Sequence, residues 1–300
     1  VFNRYRDQQF KRYSEAREYF VKNPDLLIEL EHFFTEYVKK LIITNWVAFA
    51  RDYDEASYLY PFWQNYPPDE RGRQPKGDQF PWIEVGEHAI GAKIPLLLTA
   101  DFKVRDPGIP TGADLRFVVA SETIAKITKG FTDSAWLTIE IKSVGPRDDA
   151  DHTVMSHNQV SGDGVWAKAE DGVKNTIVKA TGAVTSHDFH CGIPPIYVLS
   201  DMTVAPFVNI VVKPVYKMLS VGRSEKDGGQ PLGRITLACI PNGILLVITP
   251  GYLKKFPGLL FPGKDDKDKN PLKVRARVSF EILRKIAAWR MCDITAPSGK

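Results

Sequence analysis

Residues 135–144 read Ala-Trp-Leu-Thr-Ile-Glu-Ile-Lys-Ser-Val. Side chains alternate along a strand. Leu137, Ile139 and Ile141 therefore share one face, and Trp136, Thr138, Glu140 and Lys142 share the other. A carboxylate and an ammonium two residues apart project together from an otherwise apolar strand. Upstream, Thr111-Gly112-Ala113-Asp114 places a second carboxylate directly after a glycine turn.

Outward from this strand the chain keeps an α/β pattern. Residues 101–105 and 115–120 predict strands before it, with Asp106-Pro107-Gly108 as a turn between them. Residues 196–200, 206–213, 235–240, 243–248 and 273–280 predict strands after it. Several are continuous apolar runs, as in strands buried on both faces. Residues 148–172 are polar and glycine-rich and predict a loop, and 281–291 predict a short helix. At the other end, Leu26, Leu27, Leu30, Phe33, Phe34, Tyr37, Val38, Leu41 and Ile42 recur at helical spacing. Asn23-Pro24-Asp25 predicts a break between two helices within 5–50, with Asn23 as N-cap and Pro24 at the first helical position. Residues 61–82 form an aromatic, proline-rich loop carrying Arg71, Arg73 and Lys76, long enough to imply a task of its own. Residues 83–92 predict a short helix holding Glu84 and Glu87. The expected organisation is one mixed α/β domain over 1–300, with a helical part over 1–60 and a catalytic and recognition core over 61–300.

The 300 residues are 43% hydrophobic and 25% charged, with a net charge of +4, ordinary values for a globular protein. The charge is uneven. Residues 254–290 hold eleven Lys or Arg against four Asp or Glu. A basic C-terminal third fits either a polyanion partner or a solvated basic face. Cys191, Cys239 and Cys292 are far apart and match no zinc spacing, so a reducing, cytoplasmic setting is expected. The opening Val1-Phe2-Asn3-Arg4-Tyr5-Arg6 lacks the apolar core of a signal peptide, and no run reaches the roughly 20 apolar residues of a membrane span.

Asp114, Glu140 and Lys142 suit metal-assisted phosphodiester hydrolysis. Mg²⁺ prefers oxygen ligands and is commonly held by one or two carboxylates. Asp114 and Glu140 supply these, and the Ile141 carbonyl is a candidate third ligand. Lys142 is placed to stabilise charge that builds on the phosphate. The pattern is short and degenerate, however. The same residues also make an ordinary Glu140–Lys142 surface pair on a half-exposed strand.

Longer words narrow the choice. PFWQNYPP at 61–68, PKGDQ at 75–79, PWIEVGE at 81–87, PTGAD at 110–114, GFTDS at 130–134, IKSVGPRD at 141–148, NQVSG at 158–162, IPP at 193–195 and PGKDD at 262–266 occur in consistent order. Together they make the chain resemble the BglI-type restriction endonucleases, a branch of the PD-(D/E)XK nuclease superfamily. The N-terminal helices match only loosely. The resemblance implies a restriction-endonuclease-like mixed central sheet flanked by helices. It also implies a homodimer that needs Mg²⁺ and cuts interrupted G·C palindromes in duplex DNA. The metal pair of the family carries over to Asp114 and Glu140, its lysine to Lys142, and a helix carboxylate near the active site to Glu87. Glu140 is a departure, because the family pattern has Asp there; both occur in the superfamily.

Base reading follows from groove chemistry. Guanine offers two acceptors and cytosine an amino donor, so Arg and Lys read G and Asp accepts from C. Arg275 and Arg277 share one face of a predicted strand, beside the mixed-charge turn Gly263-Lys264-Asp265-Asp266. The alternative for these arginines is phosphate contact alone, and the neighbouring Lys267, Lys269 and Lys273 suit phosphate or solvent. The resemblance adds that the base contacts correspond to Asp148, Lys264, Asp266, Arg275 and Arg277, which implies a site such as GCC-N5-GGC. A related nuclease with a shorter half-site (GC-N7-GC type) and a cleavage-deficient DNA-binding protein are the rivals. His187-Asp188-Phe189-His190-Cys191 fits no common zinc spacing, and His152 and His157 flank the polar loop within reach of DNA. No P-loop is present, so no nucleotide cofactor is expected. A cognate DNA methyltransferase is the expected companion.

Overall fold

Helical spacing of apolar residues builds the N-terminal part of the computed structural model. The model describes residues 2–57, 85–106, 112–144, 150–216, 232–263 and 275–297, without the side chains of 2, 53–57, 85–89 and 216. Three helices appear where two were expected: α1 (Phe2–Lys22), α2 (Pro24–Thr44) and α3 (Trp46–Ser57). Pro24 opens α2 as predicted. Asn23 instead turns back, its side-chain amide donating to the Tyr19 carbonyl at 2.8 Å. Asn45 treats the Leu41 carbonyl likewise at 2.9 Å, which ends α2. Each amide adds a second donor to a last-turn carbonyl that already accepts the same asparagine's backbone N–H, at 3.0 and 3.1 Å.

Helix α4 (Val85–Leu98) runs further than 83–92 and contains Pro95. Proline removes one helical hydrogen bond and crowds the preceding turn. Here Ile90, Ile94 and Leu98, all fully buried, form one apolar stripe whose burial outweighs that cost.

The chain continues through β1 (Lys103–Arg105), β2 (Leu115–Ala120), α5 (Glu122–Ile127), β3 (Ser134–Ile141) and β4 (His152–Ser156). Then come β5 (Val178–Thr181), β6 (Ser186–Phe189), β7 (Ile196–Val198), β8 (Val204–Tyr216) and β9 (Leu232–Ile240). Helix α6 (Tyr252–Lys255), β10 (Leu260–Phe261), β11 (Arg275–Ser279), α7 (Phe280–Ile286) and β12 (Met291–Thr295) complete the described elements. Among the described residues, the central sheet has the order β1-β2-β3-β8-β9-β12, with β7 also paired to β8. Strands β3 and β8 are parallel, and the pairs on either side of them are antiparallel. This is the mixed sheet expected.

Helices α2, α3 and α4 cover one face, where Phe34, Val38, Phe49 and Ile94 meet Leu137, Ile139 and Ile210. On the other face Trp136 stacks on Tyr197, ring centroids 3.8 Å apart. The predicted alternation of β3 therefore holds, but every residue of the strand is buried.

A second sheet, ordered β10-β11-β4, stands apart from the first. Strand β4 lies inside the stretch expected to be a loop. It buries Thr153 and Met155 and turns the alternate residues outward. Its hydrogen-bonding partner is β11, far away in sequence, so the local polarity gave no sign of it. The tail also differs from expectation. Helix α7 ends early, and β12 adds a strand to β9.

Residues 244–248 form a π-helix (Ile244–Ile248) rather than a strand. Asn242 sets this turn: its Oδ1 accepts from Ile244 N at 3.0 Å, and its Nδ2 donates to the Pro195 and Phe207 carbonyls at 2.8 Å. Beneath it, Arg290 and Glu31 form a buried ion pair, 2.6 Å apart and 0% and 1% exposed. One member of the basic C-terminal third is thus internal. Among the described residues, no helix is long and apolar enough to cross a membrane.

Candidate active site

Strands β2 and β3 bring the two carboxylates together. Leu115 pairs with Ile139, so Asp114, one residue before, meets Glu140 at the end of the strand pair. Asp114 Oδ2 accepts a hydrogen bond from Ile141 N at 2.7 Å. The turn before it is held closely. Gly112 N donates to the Asn158 carbonyl at 3.0 Å, and the Asn158 side chain occupies the space a Cβ would need. A Cβ at 112 would have to push the Asn158 side chain away from the turn that delivers Asp114.

Glu140 is only 1% exposed, which removes the surface-pair reading. Its Oε1 accepts from both Lys142 Nζ and Gln159 Nε2. Its Oε2 is buried with no hydrogen-bond partner among the described residues. Burial raises the Glu140 pKa to about 7; Asp114 adds to the rise, while Lys142 opposes it. Lys142 follows β3, anchored by its N–H on the Val212 carbonyl at 2.9 Å, with its side chain partly exposed.

A buried carboxylate oxygen without a partner, beside a second and exposed carboxylate, fits a hard divalent cation. The donors are oxygens, as Mg²⁺ prefers. Among the described residues no group of three or more His, Cys, Asp or Glu can hold a metal. The remaining ligands would then come from the Ile141 carbonyl, water or phosphate. The Ile141 side chain itself faces the core. Glu87 stands on α4, with its side chain outside the described residues. One turn later, a Cβ on Gly91 would lie 3.1 Å from Ile141 Cδ1, so this helix passes close to the end of β3.

Of the residues expected to read bases, Arg275 and Arg277 are described, and both lie on the second sheet. Arg275 is exposed and Arg277 half-buried on the outward side of β11, while Ala276 and Val278 are fully buried beneath. The shared face predicted for the two arginines is present. The Arg277 guanidinium lies over Gly263, in the space a Cβ would need. Asp148, Lys264 and Asp266 fall outside the described residues, as do the 61–82 loop and Lys267, Lys269 and Lys273. His187 Nε2 sits 3.2 Å from the Arg275 carbonyl. The His152 ring meets Phe261 edge-on, with centroids 5.4 Å apart. Cys191 is buried, which pushes its thiol up to about 12.

Three polar residues around Glu140 were not singled out from the sequence. Gln159 bridges Glu140 and the Gly112 carbonyl, the latter at 3.0 Å. Asn209, on β8, donates to the Gln159 carbonyl at 2.8 Å. Thr138 Oγ1 donates to the Val208 carbonyl at 3.2 Å and lies 3.3 Å from Asn209 Oδ1. The signal for Gln159 was within the word NQVSG, which carried the resemblance without a chemical role.

An acidic-x-lysine strand within a mixed sheet, with a second carboxylate delivered by the neighbouring strand, is the architecture of a restriction-endonuclease-like nuclease. Residues 8–294 match the family model described as restriction endonuclease BglI. The type II restriction enzyme BglI of Bacillus subtilis is 43% identical over 290 residues, covering 95% of this chain and 96% of that protein. The crystal structure of BglI bound to its DNA recognition sequence superposes with a TM-score of 0.89, over 98% of this chain and 99% of that one. Tetrameric SfiI bound to cognate DNA shares the fold at 14% identity and a TM-score of 0.54, covering 88% and 85% of the two chains. The chain belongs to the BglI restriction endonuclease family and, with it, to the type II site-specific deoxyribonucleases.

Proposed function

We propose that this enzyme cuts duplex DNA at an interrupted G·C palindrome, with GCC-N5-GGC as its site, using Mg²⁺ held by Asp114, Glu140 and the Ile141 carbonyl. The observation that carries this reading is the buried Oε2 of Glu140, without a hydrogen-bond partner among the described residues, beside Asp114 and Lys142. When bound, the cation polarises the phosphate, lowers the pKa of a coordinated water and offsets leaving-group charge. Glu140 and Asp114 give the negative charge that holds it. Lys142 presents its ammonium to the scissile phosphate and steadies the charge that grows there. Glu87, on the helix beside β3, is a further carboxylate for this centre.

Arg275 and Arg277 read guanine from β11, joined by Lys264, Asp266 and Asp148. The chain acts as one endonuclease domain in a homodimer, since a palindrome mirrors a two-fold axis and dimer geometry sets the spacer. It works in the cytoplasm without a nucleotide cofactor, alongside a methyltransferase that protects host DNA.

Digesting a plasmid of known sequence with Mg²⁺ and mapping the cut ends tests the reading. Ends confined to GCC-N5-GGC are expected. Ends at GC-N7-GC would shift the assignment to a shorter half-site. Absence of cleavage with any divalent metal would leave only a DNA-binding protein.

A further inference from the structure

Gln159 is 9% exposed, and its side chain is used at both ends. Its Oε1 accepts from Ser156 N at 2.8 Å. That contact fixes which way the amide faces, so its NH₂ is directed to Glu140 Oε1 and to the Gly112 carbonyl. Its backbone carbonyl is held in turn by Asn209. One side chain thus touches the buried carboxylate and the turn that delivers Asp114. Its anchor, Ser156, is the last residue of β4 and pairs with Arg275 of β11.

The arrangement leaves Glu140 with a definite division of labour. Oε1 is occupied by Gln159 and Lys142, and Oε2 has no partner among the described residues. A glutamate has one more rotatable bond than the aspartate of the family pattern, so its carboxylate needs more external constraint to keep one orientation. An amide donor fixed by its own carbonyl supplies that constraint without adding charge.

We propose that Gln159 is a positioning residue for the metal centre: it fixes the Glu140 carboxylate and the Asp114 turn together, so that Glu140 Oε2 is presented to the cation. The proposal rests on the assignment of Glu140 as a metal ligand. Partners that orient metal ligands typically contribute 10–100-fold in metal affinity or activity. The acceptor set by Ser156 also makes the carboxylate's position depend on the strand that is paired with the reading arginines.

The test avoids turnover. Ca²⁺ is expected to support binding of a duplex carrying the site found by the plasmid digestion, and the Ca²⁺ concentration that half-saturates this binding is read for wild type, Gln159→Leu, Glu140→Gln and the double variant. Cation-free thermal unfolding is recorded for each. Gln159→Leu is expected to raise the half-saturating Ca²⁺ by about 10–100-fold, with weak cation-free DNA binding unchanged. Gln159→Met, which keeps the side-chain length, is expected to give the same shift and serves if the leucine variant does not fold. In the Glu140→Gln background, Gln159→Leu is expected to shift half-saturation less than in wild type, because the share of its role that runs through the Glu140 carboxylate is already lost. A half-saturation unchanged by Gln159→Leu or Gln159→Met, while Glu140→Gln raises it, overturns the role of Gln159 and leaves the metal assignment standing. A half-saturation unchanged by Glu140→Gln overturns the metal assignment and this proposal with it. Full additivity in the double variant overturns the proposal, because it would mean that Gln159 acts elsewhere.

Discussion

The end of β3, proposed to cut, and β11, proposed to read bases, are built in opposite ways. On β3 every residue is buried, and Glu140 is bound on one oxygen by two donors. On β11 only the alternate residues are buried, and Arg275 and Arg277 project outward over an apolar underside. A reactive carboxylate must keep one orientation before the substrate arrives, so its neighbours are hydrogen-bonded and enclosed. An arginine that reads a base must leave water for the groove, so its head stays accessible while its strand is fixed. The two regions meet at Ser156, which pairs with Arg275 and also holds Gln159.

This contrast can be broken or sharpened by substitution. The largest effect is expected at the buried Arg290–Glu31 pair, which belongs to neither strand. Removing Arg290 leaves Glu31 buried without its ion partner, which should cost about 3–5 kcal/mol of stability. Urea denaturation of Arg290→Ala checks this; a loss near zero would mean that the pair contributes no more than a surface contact.

Arg277→Ala should act on site choice instead. About 1–3 kcal/mol of discrimination at one base pair is expected to disappear, measured as relative binding of single-substituted duplexes in Ca²⁺. An unchanged ranking of those duplexes would reduce Arg277 to a phosphate contact and erase the contrast drawn here.

Gly263→Ala is a gentler probe of the same strand. Its Cβ would occupy the place of the Arg277 guanidinium, the free end of a flexible side chain. Gly263 is itself buried, so stability should fall by about 1 kcal/mol, while site discrimination weakens less than in Arg277→Ala. A large loss of stability would show that the turn, and not the arginine, depends on this glycine.

The smallest effect sets a baseline away from both regions. A hydrogen bond from Arg105, aided by the Thr203 N–H, lowers the Asp201 pKa from 3.8 to about 2. The folded pKa is depressed, so this stabilisation is present above about pH 4 and is lost as pH falls through about 2. The pair is half exposed, which limits its contribution to about 0.2–1 kcal/mol. Asp201→Asn should therefore flatten the acid side of the stability profile only slightly, as thermal unfolding between pH 2 and 5 would record; a change of several kcal/mol would contradict the screening argument.

The meeting of the candidate site's residues was largely legible because strand alternation and turn chemistry are local. Glu140 lies on β3 and Lys142 directly after its end, and Asp114 follows a glycine turn packed against Asn158. Gln159 was not legible as chemistry. Its role depends on Ser156, Gly112 and Glu140 meeting in space. In the fold, β4 was read as loop because its five residues are short and polar-flanked, and its pairing with β11 spans more than a hundred positions. Residues 243–248 were read as strand because a short apolar run does not by itself distinguish strand from helix; Asn242 decides the matter through contacts with Pro195 and Phe207. The helical N-terminal part was predicted with one break too few, since Asn45 lacks the proline that marked Asn23.

The cutting centre itself is tested most directly by Lys142→Ala on a duplex carrying GCC-N5-GGC, with cleavage in Mg²⁺ and binding in Ca²⁺ measured side by side. Cleavage is expected to fall by at least about 10²–10³-fold, with specific binding kept within a few-fold of wild type. Cutting at the wild-type rate, or equal loss of binding and cleavage, would contradict the assignment of Asp114, Glu140 and Lys142 as the cutting centre.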